Sequence, residues 1–342
     1  MKPSLRSLIK DYNSISIMGM CKNAGKTEVF NYILKETSKE DIILGITSIG
    51  RDGEEVDAVT LTKKPRIYIN KNTILATARQ SLSQCDFTKE VLYTTGINTP
   101  MGEIVLLKAL SCGYADLSGP STLFELSEVM NKLKELGASK LLIDGALSRK
   151  SLATPNITDG CILAAGAALN SSMEKVIDDT VHTVRLFSLD AIKDSRVKAI
   201  AEAHGENNVV VIIDKDYHTK KLSVISSLHS SKEILENLES SSRYIVINGS
   251  VTDRLLMDLF SVRELLKDIF IIIKDSTKLM VSKEVFEKFM LTGARIAVLR
   301  RINLLAVTIN PTSPSGYEFN GEVFKDSLEK SLSVPVFNIF SE

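Results

Sequence analysis

Ser14-Ile15-Ser16-Ile17-Met18-Gly19-Met20-Cys21-Lys22-Asn23-Ala24-Gly25-Lys26-Thr27 is an apolar strand that runs directly into a glycine-rich loop. Strand, loop, Gly-Lys-Thr and helix, in that order, form the pattern of a phosphate-binding loop. Its backbone N–H groups turn inward around phosphate oxygens, and the positive helix start adds to the field. On this reading Gly19, Asn23, Ala24 and Gly25 shape the cradle, Lys22 neutralises phosphate charge, and Lys26 reaches the β- and γ-phosphates. The Thr27 hydroxyl binds Mg²⁺. Five residues separate Gly19 from Gly25, one more than the standard motif has. Either Met20 stands where the first glycine usually stands, or the loop is of a longer variety.

A helix is expected from Thr27 to about Glu36. The next apolar run, Ile42 to Ile46, ends in Thr47-Ser48-Ile49-Gly50-Arg51-Asp52-Gly53. This fits a second parallel strand with a polar loop at its carboxyl end, beside the nucleotide. Residues 66–70 and 73–77 flank Lys71-Asn72 and predict a β-hairpin, followed by strands over 91–95 and 103–108. This β-rich run reads as an excursion inserted between elements of the parallel sheet. Leu123, Leu126, Val129, Met130, Leu133 and Leu136 recur at helical spacing, with Gly137 as a stop. Lys140-Leu141-Leu142-Ile143-Asp144 then reads as a buried parallel strand that closes on an acid.

Further strands are expected at 162–165, 209–213, 244–248, 269–273 and 304–310, with a short one around Val336. Helices are expected at 231–238 and 283–291. The fold class is therefore α/β, a mostly parallel sheet of the P-loop NTPase type with an inserted β-hairpin region and a second α/β half. A nucleotide-binding domain is expected over residues 1–170. The second half, 171–342, is either separate or continuous with the same sheet, and polar stretches near 170–175 and 203–208 mark candidate boundaries.

Asp144 follows four residues of a buried run, where an acid has little reason to stand unless it organises Mg²⁺ or water; the alternative is a solvated strand end. Asp52 follows the second strand, where a metal-linked or water-positioning acid fits; a simple Arg-Asp-Gly turn fits as well. Lys26, Asp52 and Asp144 are thus the candidate catalytic residues, and Thr27, Asp144 and Asp52 the candidate metal ligands. Asp159 is a weaker candidate that a cap or turn explains equally well. Arg149 and Lys150 line the triphosphate pocket or a solvated loop. Ser121 and Thr122 are either an N-cap or an anion-binding helix start. Cys21 in the loop is a candidate redox-sensitive thiol. His182, His204, His218 and His229 lack partners at metal spacing and read as surface or packing residues.

Base recognition is weakly encoded. The nearest approach to a guanine-reading motif, Asn248 to Asp253, has the wrong spacing, which favours ATP, although this segment follows a strong strand and can approach a base or second ligand. The chain has 42 basic and 42 acidic residues, so it lacks the basic footprint of a nucleic-acid binder. Its apolar runs are too short to cross a bilayer, and Met1-Lys2-Pro3-Ser4 leads into a mixed helix without a signal-peptide core. Four scattered cysteines with no close pair argue against a zinc or disulfide framework. A soluble, cytoplasmic protein is expected, with no nucleic acid and no membrane among its partners.

The long loop resembles that of dethiobiotin synthetases and cobyrinate amidases over roughly the first 30 residues. A wider resemblance is carried by Gly19 to Thr27, Ser48-Ile49-Gly50-Arg51-Asp52-Gly53-Glu54, Asp144-Gly145-Ala146-Leu147-Ser148-Arg149-Lys150 and Val307-Thr308-Ile309-Asn310-Pro311. Together these look like the B-subunit family (KamB) of the reactivase for adenosylcobalamin-dependent lysine 5,6-aminomutase. That resemblance implies ATP and Mg²⁺ as ligands, ATP-driven rescue of a mutase holding damaged cobalamin, and a MutS-like ATPase subunit and the aminomutase as partners. The first resemblance implies instead a small-molecule ATP-dependent ligase or kinase. Related P-loop proteins often pair across the nucleotide, so a homodimer is compatible with either.

Overall fold

The structure, a computed structural model, describes residues 4–38, 42–50, 66–145, 154, 157–204, 209–223 and 230–341. The chain divides into two compact units, Met1–Val181 with Asn303–Glu342, and His182–Ile302. Helix α1 (Leu5–Ile9) leads to β1 (Ser14–Gly19), α2 (Lys26–Thr37) and β2 (Leu44–Ser48). Then follow β3 (Ile67–Ile69), β4 (Ile74–Ala78), β5 (Lys89–Thr99), β6 (Gly102–Ala109) and β7 (Gly113–Ala115). Helix α3 (Leu123–Glu135), β8 (Lys140–Asp144), β9 (Gly160–Gly166) and α4 (Met173–Phe187) complete this stretch.

The second unit holds α5 (Ser195–Ala203), β10 (Val209–Asp214), β11 (Thr219–Ser223), α6 (Ser231–Asn237) and β12 (Ser242–Ile247). It continues through β13 (Val251–Thr252), α7 (Asp253–Leu259), α8 (Arg263–Leu266), β14 (Phe270–Ile273), β15 (Leu279–Met280), α9 (Lys283–Met290) and β16 (Arg295–Val298). The chain then returns to the first unit with β17 (Leu304–Asn310), α10 (Gly321–Ser331) and β18 (Val336–Phe337).

The first unit is built on a nine-stranded sheet in the order β18-β17-β9-β1-β8-β2-β4-β6-β5. From β18 to β4 every pairing is parallel, and the β5–β6 hairpin adds two antiparallel strands at one edge. Continuous apolar runs such as Leu141-Leu142-Ile143 are what a strand covered on both faces requires. One face carries Ile15, Ile17, Leu44, Ile46 and Leu142 against Val29, Phe30 and Ile33 of α2. The other face is served by α3; a Cβ on Gly45 would meet Leu141, Ala138 and Leu133. The α/β class with a large, mostly parallel sheet is as expected.

Three details differ from the sequence reading. Residues 66–77 do not form a hairpin. Asn72 takes a left-handed turn, φ 72°, but β3 pairs with β7 in a separate two-stranded sheet while β4 enters the main sheet beside β2. The reason is burial, because every residue of β4 is buried and so needs neighbours on both edges, whereas Tyr68 in the middle of β3 faces solvent. The polar stretch near 170–175 is the start of α4, with Ser172 N–H donating to Asn170 Oδ1 (2.9 Å) and Lys175 N–H to Ser172 Oγ (3.3 Å). The division of units falls at 181/182 rather than 170/171, and the second half answers to both alternatives left open for it: β17 and β18 continue the first sheet, and its other main strands form a separate one.

The second unit has its own five-stranded sheet, β11-β10-β12-β14-β16, in which β12, β14 and β16 are parallel and β10 runs against both neighbours. Leu255, Leu259, Phe286 and Phe289 of α7 and α9 pack on one face. Val197 and Ala201 of α5 pack on the other. No helix among the described residues is long and apolar enough to cross a membrane.

Candidate functional site

Ligands of open parallel sheets gather outside the carboxyl ends of the strands, where neighbouring connections depart in opposite directions. In the first unit that point is the end of β1, which lies between β8 and β9. Here the Gly19–Thr27 loop turns into α2. Asn23 and Gly25 both adopt left-handed backbone, φ 61° and 96°, conformations that Asn tolerates and Gly adopts freely. Gly25 is the N-cap of α2 and offers no side-chain cap, so the first amides of the helix stay available to a ligand. Lys26 is the first helical residue, and Thr27 follows it.

The loop is held from behind. Met20 N–H donates to Ala164 O of β9 (2.9 Å), and Asn310 Nδ2 at the end of β17 donates to Asn23 O (3.3 Å). Gly166 lets β9 approach closely, since a Cβ there would lie 3.1 Å from Ala24 Cα. A Cβ on Gly25 would lie 3.1 Å from Asn310 Cβ. Lys26 folds back over the loop, its Cγ and Cδ 3.0 Å from where a Cβ of Gly19 would stand.

Asp144 ends β8, in register with Ile17 of β1 and Ser48 of β2. Partners in a parallel ladder project from the same face, so Asp144 continues the row of Leu142 toward the α2 side. The residue is half-buried, and its Oδ1 is fully buried without a hydrogen-bond partner. It is therefore not a solvated strand end. Burial pushes its carboxyl up to about 6, partly offset by the nearby Lys26 ammonium. The same burial pushes the Cys21 thiol up to about 11, again partly offset by Lys26, so little of it is thiolate at neutral pH.

Other sequence candidates have structural duties. Asp159 lies at the amino end of β9, opposite to the loop, where its Oδ2 accepts from Asn13 and Ser14 N–H (3.2 and 2.9 Å). Thr122 is an N-cap in a full capping box, and the Glu125 carboxylate already accepts from Ser121 and Thr122 N–H, so that helix start is occupied by its own acid. In the second unit Asn248 Nδ2 donates to His204 O, and Asp253 Oδ1 accepts from Ser282 N–H (2.8 Å). His182 Nε2 lies 2.9 Å from Val281 O and its ring stands edge-on to Phe286. Asp214, Asp216 and His218 bring ligating atoms within 4.8 Å of one another in the β10–β11 turn, where Asp214 is already engaged by His218 and two backbone amides. Asp52, Arg149, Lys150 and His229 lie outside the described residues.

Sequence reading assigned no individual role to Ser48, Gly119, Gly166 or Asn310. Asn310 carried a faint signal as the polar end of the apolar run Leu304 to Ile309. The arrangement gathers helix-start amides without a side-chain cap, the Lys26 ammonium and a carboxylate with one buried, unpartnered oxygen at the neighbouring ends of β1 and β8. Its chemistry suits an anionic ligand carried together with a cation. No known protein family, curated protein or solved structure matches the chain.

Proposed function

We propose that the first unit is a P-loop that binds ATP with Mg²⁺ and acts as a nucleotide-driven subunit of an ATP-dependent reactivase for an adenosylcobalamin-dependent aminomutase. The observation that carries nucleotide binding is the buried, unpartnered Oδ1 of Asp144, whose carboxyl feels the Lys26 ammonium at the head of α2. A plain core strand would not leave such a group without a partner, because an orphaned buried polar atom costs about 1–3 kcal/mol. The residues fit the ligand. The loop amides and Lys26 would hold the β- and γ-phosphates, and Thr27 and Asp144 would hold Mg²⁺, which supplies charge neutralisation at the phosphates. Asp52, by its place after β2, is assigned to water positioning. ATP is preferred to GTP because no guanine-reading motif is present in the sequence.

The client rests on the sequence resemblance. ATP and ADP forms with different affinity for the mutase would drive exchange of damaged for fresh cobalamin, as any ligand-driven shift requires. A MutS-like ATPase subunit is the proposed partner. A small-molecule ligase or kinase is the second reading, and it needs a deep second pocket beside the γ-phosphate, lined by polar groups of the segments Ser48 to Glu54 and Gly119 to Thr122. In the described part of these segments Gly50 N–H donates to Pro120 O (2.7 Å) and Gly119 sits on the Ser48 carbonyl, while residues 51–54 lie outside the described residues.

The test adds the protein, partner ATPase, ATP and fresh adenosylcobalamin to inactivated lysine 5,6-aminomutase. Recovery of mutase activity that is lost in Lys26→Ala supports the proposal. No recovery, with phosphorylation of a small metabolite instead, contradicts it.

A further inference from the structure

Asp144 is not the only orphaned group at this strand end. The Ser48 hydroxyl on the neighbouring strand is also buried without a hydrogen-bond partner, and the residue is 4% exposed. Ser48 and Asp144 are direct register partners, and Ile49 N–H donates to Asp144 O (3.3 Å), so the ladder fixes the two side by side. Both extend rows whose preceding members, Ile46 and Leu142, pack with α2, so both project from the face that carries the head of that helix. Gly119 closes the outer side. A Cβ there would stand 1.7 Å from Ser48 O and 3.1 Å from Ser48 Oγ, so only glycine lets this segment seal the hydroxyl in.

Two polar atoms on adjacent strands, the Ser48 hydroxyl and Asp144 Oδ1, are both buried without a hydrogen-bond partner. Apolar replacements would be cheaper for folding alone. We propose that Ser48 and Asp144 act together at the divalent-cation seat shared with Thr27, in which the Asp144 carboxylate would hold the cation and the Ser48 hydroxyl would donate to an oxygen in the cation's coordination shell. The inference rests on the nucleotide-binding reading above and adds to it a positioning residue that the loop motif does not contain. Groups placed in this way around a metal site commonly change metal affinity 10–100-fold when removed.

The test is Ser48→Ala in the full chain, with ATP titrated by calorimetry in Mg²⁺ and in EDTA, and Mn²⁺ binding in the presence of ATP followed by electron paramagnetic resonance. The expected result is about tenfold weaker binding of ATP in Mg²⁺, unchanged binding in EDTA, and a weakened Mn²⁺ signal. The melting temperature of the ligand-free variant should not fall, because an unsatisfied hydroxyl has been removed. Wild-type affinity in Mg²⁺, or an equal loss in Mg²⁺ and EDTA, overturns the seat while leaving nucleotide binding intact. Failure of the wild-type protein to bind ATP at all overturns both readings.

Discussion

The stem of Lys26 lies across Gly19, so a Cβ on that glycine would stand 3.0 Å from Lys26 Cγ and Cδ and 3.0 Å from Cys21 O. The first glycine of the loop thus serves as the floor under the lysine stem. Gly19→Ala is expected to displace Lys26 and weaken ATP binding by about tenfold, the equivalent of about 1.4 kcal/mol. A melting temperature close to the wild-type value, measured beside the binding constant, separates this effect from general unfolding.

Asp144 gives the ligand-free protein a pH signature. Its carboxyl is raised from 3.8 to about 6. Between those values the native state holds a proton that the unfolded chain has released, so this group makes stability fall as pH rises through the window. Above about pH 6 the penalty is fully present, up to about 3 kcal/mol. Asp144→Asn is therefore expected to melt higher than wild type at pH 7.5 and to lose that advantage near pH 4. The same variant should lose Mg²⁺-dependent nucleotide binding. Melting curves across pH, with and without Mg²⁺ and ATP, check both.

Gly119 approaches Ser48 so closely that no side chain fits, since a Cβ would be 1.7 Å from a backbone oxygen that cannot swing away. Gly119→Ala is expected to cost about 3 kcal/mol or more, because the two segments must separate. Denaturant unfolding measures this directly, and a cost below about 1 kcal/mol would show that the contact yields.

Lys140 opens β8 from a buried position and donates through Nζ to the carbonyls of Ile9, Lys10 and Tyr12 at the end of α1. A cation at a helix C-terminus satisfies carbonyls that the helix leaves open. Lys140→Met keeps the stem and removes the charge, leaving those carbonyls without this donor. It is expected to destabilise the first unit by about 2–3 kcal/mol with little change in ATP affinity. The site stands at the other end of β8 from Asp144.

The parts of the fold that local chemistry decides were legible in the sequence. Ile15 to Met18 and Leu141 to Ile143 announce buried strands, and Gly25-Lys26-Thr27 announces a helix start. Partner choice was not legible, because it depends on residues far along the chain. Ile67 to Ile69 and Ile74 to Ala78 look like a hairpin until their burial is known. Asn310, which braces Asn23, stands 287 residues away from it. Asn170-Ser171-Ser172 reads equally as a linker or as the polar start of α4, and only the amides of Ser172 and Lys175 decide. In the site, Asp144 was legible as an acid after an apolar run. Ser48 was not, because a serine at a strand end is ordinary until its hydroxyl is found buried and unpartnered.

Lys26 and the loop at the head of α2 are proposed to hold the triphosphate of a nucleotide. Calorimetric titration of ATP with Mg²⁺ into the wild-type chain and Lys26→Ala tests it most directly. A saturable, one-site isotherm for wild type and about 10–100-fold weaker binding for the variant is the predicted result, the loss expected for charge-assisted contacts to phosphate. No binding by wild type, or equal binding by both proteins, would contradict it.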